Sequence, residues 1–343
     1  MRGFFYFLGW MIWGNFFLQA QDSGAGRINL QLPTGNDNLF QGHPAKFFQP
    51  TVSGRPFSGM YGFVRSTLPE PPKLFNKFHE GIDIQPLDRD ATGEPTDVVH
   101  AAMKGEVVYA NLRPEKSNYG IYVVIRHKLP DGDAYSTYGH LASVSARMGQ
   151  EVQAGEAIGI LGYSGNVESK AYAHLHFEFG FLINRSWPQW FERFGKTGPA
   201  DLNHHGLYNG NNLNGVDPVP LLQATRQGRP LSVTECLNQQ QIFFVARIPA
   251  RKQYFDWQKR FPQTVEGGLS KSPPAGWEVS FSRNGTPLKF KRLLQPVVTA
   301  KLVGFDFSRS EQDSVCNFVR RTGNTAELSL YGQAWISSIT YLP

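Results

Sequence analysis

The feature that most constrains this chain is a series of short, β-branched or aromatic segments between residues 98 and 182, separated by glycine and aspartate turns, with no sustained helical periodicity. Ile121-Tyr-Val-Val-Ile-Arg-His127 is a β-branched run, and Asp131-Gly132-Asp133 turns it back into Tyr135-Ser-Thr-Tyr-Gly-His140, the pattern of a hairpin. Val98 to Ala110 predicts a further strand. Gly155, Gly159 and Gly162 have the spacing of tight strand-to-strand connections. With 35 glycines and 26 phenylalanines among 343 residues, the composition favours a turn-rich β protein over a helical bundle. The expected fold class is therefore all-β, built of short strands between turns.

The rest of the chain divides around this segment. Residues 1–20 carry one charge, Arg2; Gly3 to Leu18 is apolar and aromatic, and Leu18-Gln19-Ala20 has the form of a cleavage site, which predicts a secretory signal peptide. Residues 21–46 read as a polar, extended leader, and 47–225 as the first folded domain. The polar segment Gln223-Ala-Thr-Arg-Gln-Gly-Arg-Pro230 reads as a linker, so a fragment ending at Thr225 is expected to fold alone. Residues 226–343 form a second β-rich unit. There Gln241 to Ile248 is a strand candidate, Asn284-Gly285 joins two alternating segments, and Val297 to Phe307 and Ala326 to Tyr341 also alternate, as in a small β-sandwich. In an exported chain, Cys236 and Cys316 are expected to form a disulfide. No other apolar run is long enough to span a bilayer. The formal charge of +6 suits an anionic polymer. It is spread along the chain without a dense Lys/Arg tract, which argues against nucleic acid as the partner.

Three stretches carry chemistry: His79-Glu-Gly-Ile-Asp83, Tyr138-Gly-His140-Leu141, and Ala173-His174-Leu175-His176-Phe177-Glu178. Residues two apart on a strand project to one face, so His174 and His176 both reach the same groove. His79 and Asp83 are two such steps apart, and His140 ends a hairpin strand. A carboxylate and two imidazoles form an ordinary zinc set, and a zinc with one open position points to hydrolysis. The residues alone leave open which of His174 and His176 takes the metal. Of the other histidines, His43, His100 and His127 read as surface or core residues and His204-His205 as a solvated loop. Neither cysteine lies near these motifs.

From about Tyr61 to Leu222, under half of the chain, the sequence resembles the M23 family of zinc metallopeptidases, the lysostaphin-type cell-wall endopeptidases. The resemblance rests on Tyr61-Gly-Phe-Val-Arg65, Phe78 to Ile84, Tyr119 to His127, Tyr138-Gly-His-Leu141, Val152 to Gly165, Ala173 to Glu178 and Gly215-Val-Asp-Pro218. It implies an antiparallel β-structure with a narrow groove and one zinc ion per chain held by His79, Asp83 and His176, with His140 and His174 as the unligated catalytic pair; Glu178 is read from the site as an outer or packing residue rather than the general base. It also implies an exported endopeptidase that hydrolyses the peptide cross-links of bacterial peptidoglycan. The alternative is a non-catalytic wall-binding or hydrolase-activating module of the same fold. Two segments depart from the family pattern: Pro86 to Thr96 after the first motif, and residues 181–213 after the last.

Overall fold

The computed structural model describes residues 26–50, 58–63, 78–167, 169–196, 202–306 and 318–343. The expected signal peptide lies outside these residues. Sixteen strands are present among them. They are β1 (Ile82–Ile84), β2 (Val98–His100), β3 (Gly105–Asn111), β4 (Ile121–His127), β5 (Ala134–Leu141), β6 (Ser143–Val144), β7 (Glu151–Val152), β8 (Ala157–Ile160), β9 (Leu175–Leu182), β10 (Leu213–Val216), β11 (Phe244–Pro249), β12 (Gly276–Phe281), β13 (Pro287–Leu293), β14 (Lys301–Phe305), β15 (Val319–Thr322) and β16 (Thr325–Leu328). The main sheet runs β1-β9-β5-β4-β3-β7, and β10 continues along the edge of β9 beyond β1. All its pairings are antiparallel, as expected. A three-stranded sheet, β2-β8-β6, lies beside it. Every residue of β5 and β9 is buried, which explains why β9 reads Leu-His-Phe-Glu-Phe-Gly-Phe-Leu rather than alternating with solvent-facing residues.

The second unit differs from the expected sandwich. Its strands form one four-stranded antiparallel sheet, β13-β12-β11-β14, and a β15-β16 hairpin. Six α-helices are present among the described residues: α1 (Pro44–Phe47), α2 (Trp187–Trp190), α3 (Pro218–Arg226), α4 (Val233–Asn238), α5 (Asp256–Arg260) and α6 (Leu330–Thr340). Most of the Ala326–Tyr341 segment, expected as strand, is thus helical. Trp335, Ile336 and Ile339 recur at helical spacing and are buried together, so the period is 3.6 rather than 2. The Asn284-Gly285 turn between β12 and β13 is as expected, with Gly285 at φ 86°.

One further expectation changes, and the expected Cys236–Cys316 pairing lies partly outside the described residues. The segment 26–49 is packed rather than an extended leader: Ile28 bridges to Leu231, Phe48 bridges to Ile84, and Ile28, Leu30 and Phe47 are buried. Cys236 is a free, buried thiol on α4, pushed up to about 12 by burial, where it fills the core as a small apolar side chain; Cys316 lies outside the described residues. One contiguous cluster of buried side chains runs from Ile28 to Ile339. It crosses the expected boundary at 225, where α3 carries the buried Leu221 and Leu222 and the Thr225 hydroxyl accepts from the Leu30 amide. No described helix is long and apolar enough to cross a membrane.

Candidate metal centre

Strand register brings the motif residues together. Asp83 of β1 stands directly opposite His176 of β9, and Gly139 of β5 stands opposite His176 on the other side. His140 follows at φ 61°, the one positive φ outside glycine among the described residues. A bulky residue held in this sparsely populated region marks a place where the surroundings dictate the backbone. His140 N–H donates to Tyr119 O (2.8 Å), and His174 N–H donates to Gly162 O (3.2 Å) just ahead of β9. His79, Asp83, His140, His174 and His176 are all buried.

Three of these groups converge. His79 Nε2 is 3.1 Å from both Asp83 Oδ1 and His176 Nδ1, and His176 Nδ1 is 2.9 Å from Asp83 Oδ1. His79 Nδ1 lies 2.8 Å from Met60 O. A carbonyl only accepts, so Nδ1 carries the hydrogen and Nε2 presents its lone pair to the cluster. His176 sits between two carboxylates, Asp83 at Nδ1 and Glu178 at Nε2 (2.8 Å). Burial pushes its imidazole down, but the hydrogen bonds to Asp83 and Glu178 outweigh this and hold it at about 9. The site therefore gathers positive charge. A tetrahedral ion about 2 Å from each ligand sets the ligand atoms roughly 3.3 Å apart. Three nitrogen and oxygen donors about this far apart, two of them imidazole and one carboxylate, fit a zinc ion.

His140 and His174 flank the triad. Their rings meet edge to face at 4.8 Å, and His140 lies 5.8 Å from the His176 ring. His140 Nδ1 donates to Ser164 O (2.8 Å) and His174 Nδ1 to Tyr172 O (2.7 Å), which directs each ring by its other nitrogen. His174 Nε2 is 3.5 Å from Asp83 Oδ1. Burial, followed by the charges of His174 and His176, holds His140 well below the usual imidazole range, so it is neutral at pH 7.

A cavity of about 560 Å³ opens against His79, Glu80, Tyr119, His176 and Glu178. Its other walls were not legible as site residues in the sequence. One is the 181–213 insertion, through Leu202, His204, His205, Asn209, Gly210 and Asn211. The other comes from the second unit: Arg283 and Asn284 at the β12–β13 turn, with Phe318, Tyr331 and Trp335. The Arg283 guanidinium stands over the Phe78 ring at 5.1 Å. Their motif neighbours gave no signal for these residues, because only the fold places them here. His205, expected in a solvated loop, bonds to Tyr109 Oη (2.9 Å) and Lys116 O (2.8 Å). His127 lies away from the cluster and is structural, held by Lys104 O and Ser136 Oγ, each at 2.8 Å.

Residues 77–186 match the model of peptidase family M23. This segment is an M23 peptidase domain. Curated proteins give no match. Among solved structures, a zinc-containing peptidase from Vibrio cholerae is similar at 23% identity over 39% of this chain and 36% of that one, with a TM-score of 0.28. The catalytic domain of the prophage-encoded M23 protein EnpA from Enterococcus faecalis, in mutant form, is similar at 23% identity over 50% of this chain and 95% of that one (TM-score 0.26). The catalytic domain of lysostaphin from Staphylococcus simulans is similar at 22% identity over 48% and 89% (TM-score 0.29). The match thus spans about a third of the Vibrio cholerae peptidase.

Proposed function

We propose that this protein is an exported, zinc-dependent metalloendopeptidase that hydrolyses peptide cross-links of bacterial peptidoglycan. The observation that carries the reading is the convergence of His79 Nε2, Asp83 Oδ1 and His176 Nδ1 within about 3 Å of one another, in a buried pocket, beside two further imidazoles. These three residues hold one zinc ion. When bound, zinc supplies Lewis acidity that polarises the scissile carbonyl and lets a water lose its proton near neutral pH.

The remaining work falls to the chain's own groups. His140, neutral and tied at Nδ1 to Ser164 O, accepts the proton at Nε2. The protonated His140 then hydrogen-bonds the developing oxyanion through Nε2, while the neighbouring His174, tied at Nδ1 to Tyr172 O, holds its ring edge to face against that imidazole. Glu178 holds His176 at Nε2 and is an orienting group rather than the base. The +6 formal charge suits an anionic wall polymer. The test is mass spectrometry of purified peptidoglycan digested by the zinc-loaded mature protein. New free termini at a cross-link, abolished by a chelator and restored by zinc, are expected. One equivalent of zinc without cleavage of any wall peptide would support the binding-module alternative instead.

A further inference from the structure

Tyr119 touches the site at three points. Its hydroxyl donates to Glu178 Oε1 (2.7 Å), the same oxygen that lies 2.8 Å from His176 Nε2. Its ring stacks on the His176 ring, with centroids 5.2 Å apart and planes at 22°. Its carbonyl accepts the His140 amide, fixing the residue at positive φ. The hydroxyl hydrogen has Glu178 as its acceptor, so that carboxylate oxygen is kept as an acceptor facing His176. When His176 gives up one of its two ring hydrogens to bind a metal, this arrangement keeps the remaining one on Nε2 and leaves the lone pair on Nδ1, directed at Asp83 and His79.

The far side of Tyr119 is closed by the insertion. A Cβ at Gly210 would lie 2.8 Å from both Tyr119 Oη and Cε2, so only glycine lets this turn press against the ring. Asn209 caps the turn by accepting from the Asn211 amide. The 202–212 stretch also lines the cavity.

We infer that Tyr119, clamped by the Gly210 turn of the insertion, is a positioning residue that sets the tautomer and tilt of His176 for metal binding. The inference rests on the proposed zinc set. It makes the insertion part of the metal centre's support as well as a cavity wall.

The test measures zinc affinity of the full mature chain by competition with a chromophoric chelator, alongside thermal melting of the metal-free protein. Tyr119→Phe removes only the hydroxyl and is expected to weaken zinc binding about 10–100-fold, the usual scale for a group supporting a metal ligand. Its metal-free melting temperature should stay close to the parent's. Gly210→Ala, which must displace the ring, is expected to weaken zinc binding similarly, and the double variant should lose less than the product of the two. At saturating zinc, turnover of Tyr119→Phe should largely recover. A purely structural tyrosine would lower the melting temperature and leave zinc affinity of the folded protein unmoved, and that result would overturn the inference. So would independent, multiplicative losses in the double variant. Absence of zinc binding by the parent chain would overturn the proposed metal set itself, a distinguishable failure.

Discussion

At His79, the sequence motif and the geometry make the same demand. His79→Ala removes one of three proposed ligands and leaves Asp83 and His176 facing each other, so zinc content and activity should fall together. Metal analysis of the purified variant checks this, and a retained full equivalent of zinc would overturn the ligand set. His140→Ala and His174→Ala should behave differently. Each is expected to keep zinc and to lose about 10²–10⁴-fold in turnover, the scale of general acid–base catalysis. Loss of zinc in His174→Ala but not in His176→Ala would exchange the two roles. The five residues themselves were legible because histidine is scarce, nine in 343 residues, and four histidines and an aspartate recur here at strand spacing. The choice of His176 over His174 was not legible from the residues. It depends on which imidazole stands opposite Asp83 in the β1–β9 register, and on Glu178 holding the ring by its other nitrogen. Tyr119 was visible only as part of a motif, since its role arises from contacts with residues 59 and 91 positions away.

The β4–β5 hairpin was legible because β-branched residues, a short turn and a returning alternation all agree. Its internal chemistry makes a pH prediction. Ser136 Oγ bridges His127 Nε2 (2.8 Å) and Tyr138 Oη (2.9 Å), and Tyr138 Oη in turn accepts the Ala102 amide. Burial lowers the His127 imidazole to about 4, against an ordinary value near 6.5, with the Lys104 carbonyl opposing. The folded state therefore favours neutral His127. Its contribution is present above about pH 6.5 and is lost as pH falls toward 4, because the unfolded chain takes up the proton first. Between pH 7 and 5 the loss from this one group is about 2 kcal/mol. Denaturant melts of the parent and of His127→Gln should show a steeper decline in the parent over that interval. Parallel declines would mean that His127 is protonated in the fold. Elements in the second unit were harder to read. Leu330 to Thr340 contains serines, threonines and aromatics that pass for strand residues, and its helical face becomes evident only where Trp335, Ile336 and Ile339 pack.

At the scale of the molecule, the expected division at residue 225 meets a continuous core. Asn184 Nδ2 donates to Ser338 O (2.7 Å) and Tyr341 O (3.0 Å), and Arg260 donates to Leu182 O and Ile183 O at the end of β9. Asn214 of β10 donates to Thr286 Oγ1 (2.7 Å), while Asn284 donates to Gly215 O. Phe181 packs against Trp257 and Phe261, with centroids 6.3 and 5.5 Å away. Polar composition and a Gly-Arg-Pro run made 223–230 look like a linker, but long-range partners such as these leave no trace in local composition. Removing residues 226–343 would leave these amides and carbonyls at the ends of β9 and β10 without their protein partners, a net loss of about 0.5–1.5 kcal/mol for each hydrogen bond, and expose aromatic core besides. Summed over these contacts and the uncovered aromatic core, the loss is comparable to the roughly 5–15 kcal/mol by which a typical domain is stable. A fragment ending at Thr225 is therefore expected to be insoluble or to lack a cooperative melt, whereas the full mature chain should unfold in one transition. It should also lose the Arg283–Tyr331 wall of the cavity, so any residual soluble fragment is expected to be inactive on soluble wall peptides. Calorimetry of the full chain and of the fragment, with zinc content measured on both, decides the point. A soluble fragment that melts sharply, binds one zinc and cleaves soluble peptides would show that the second unit is an appendage and that its contacts with β9 and β10 are dispensable.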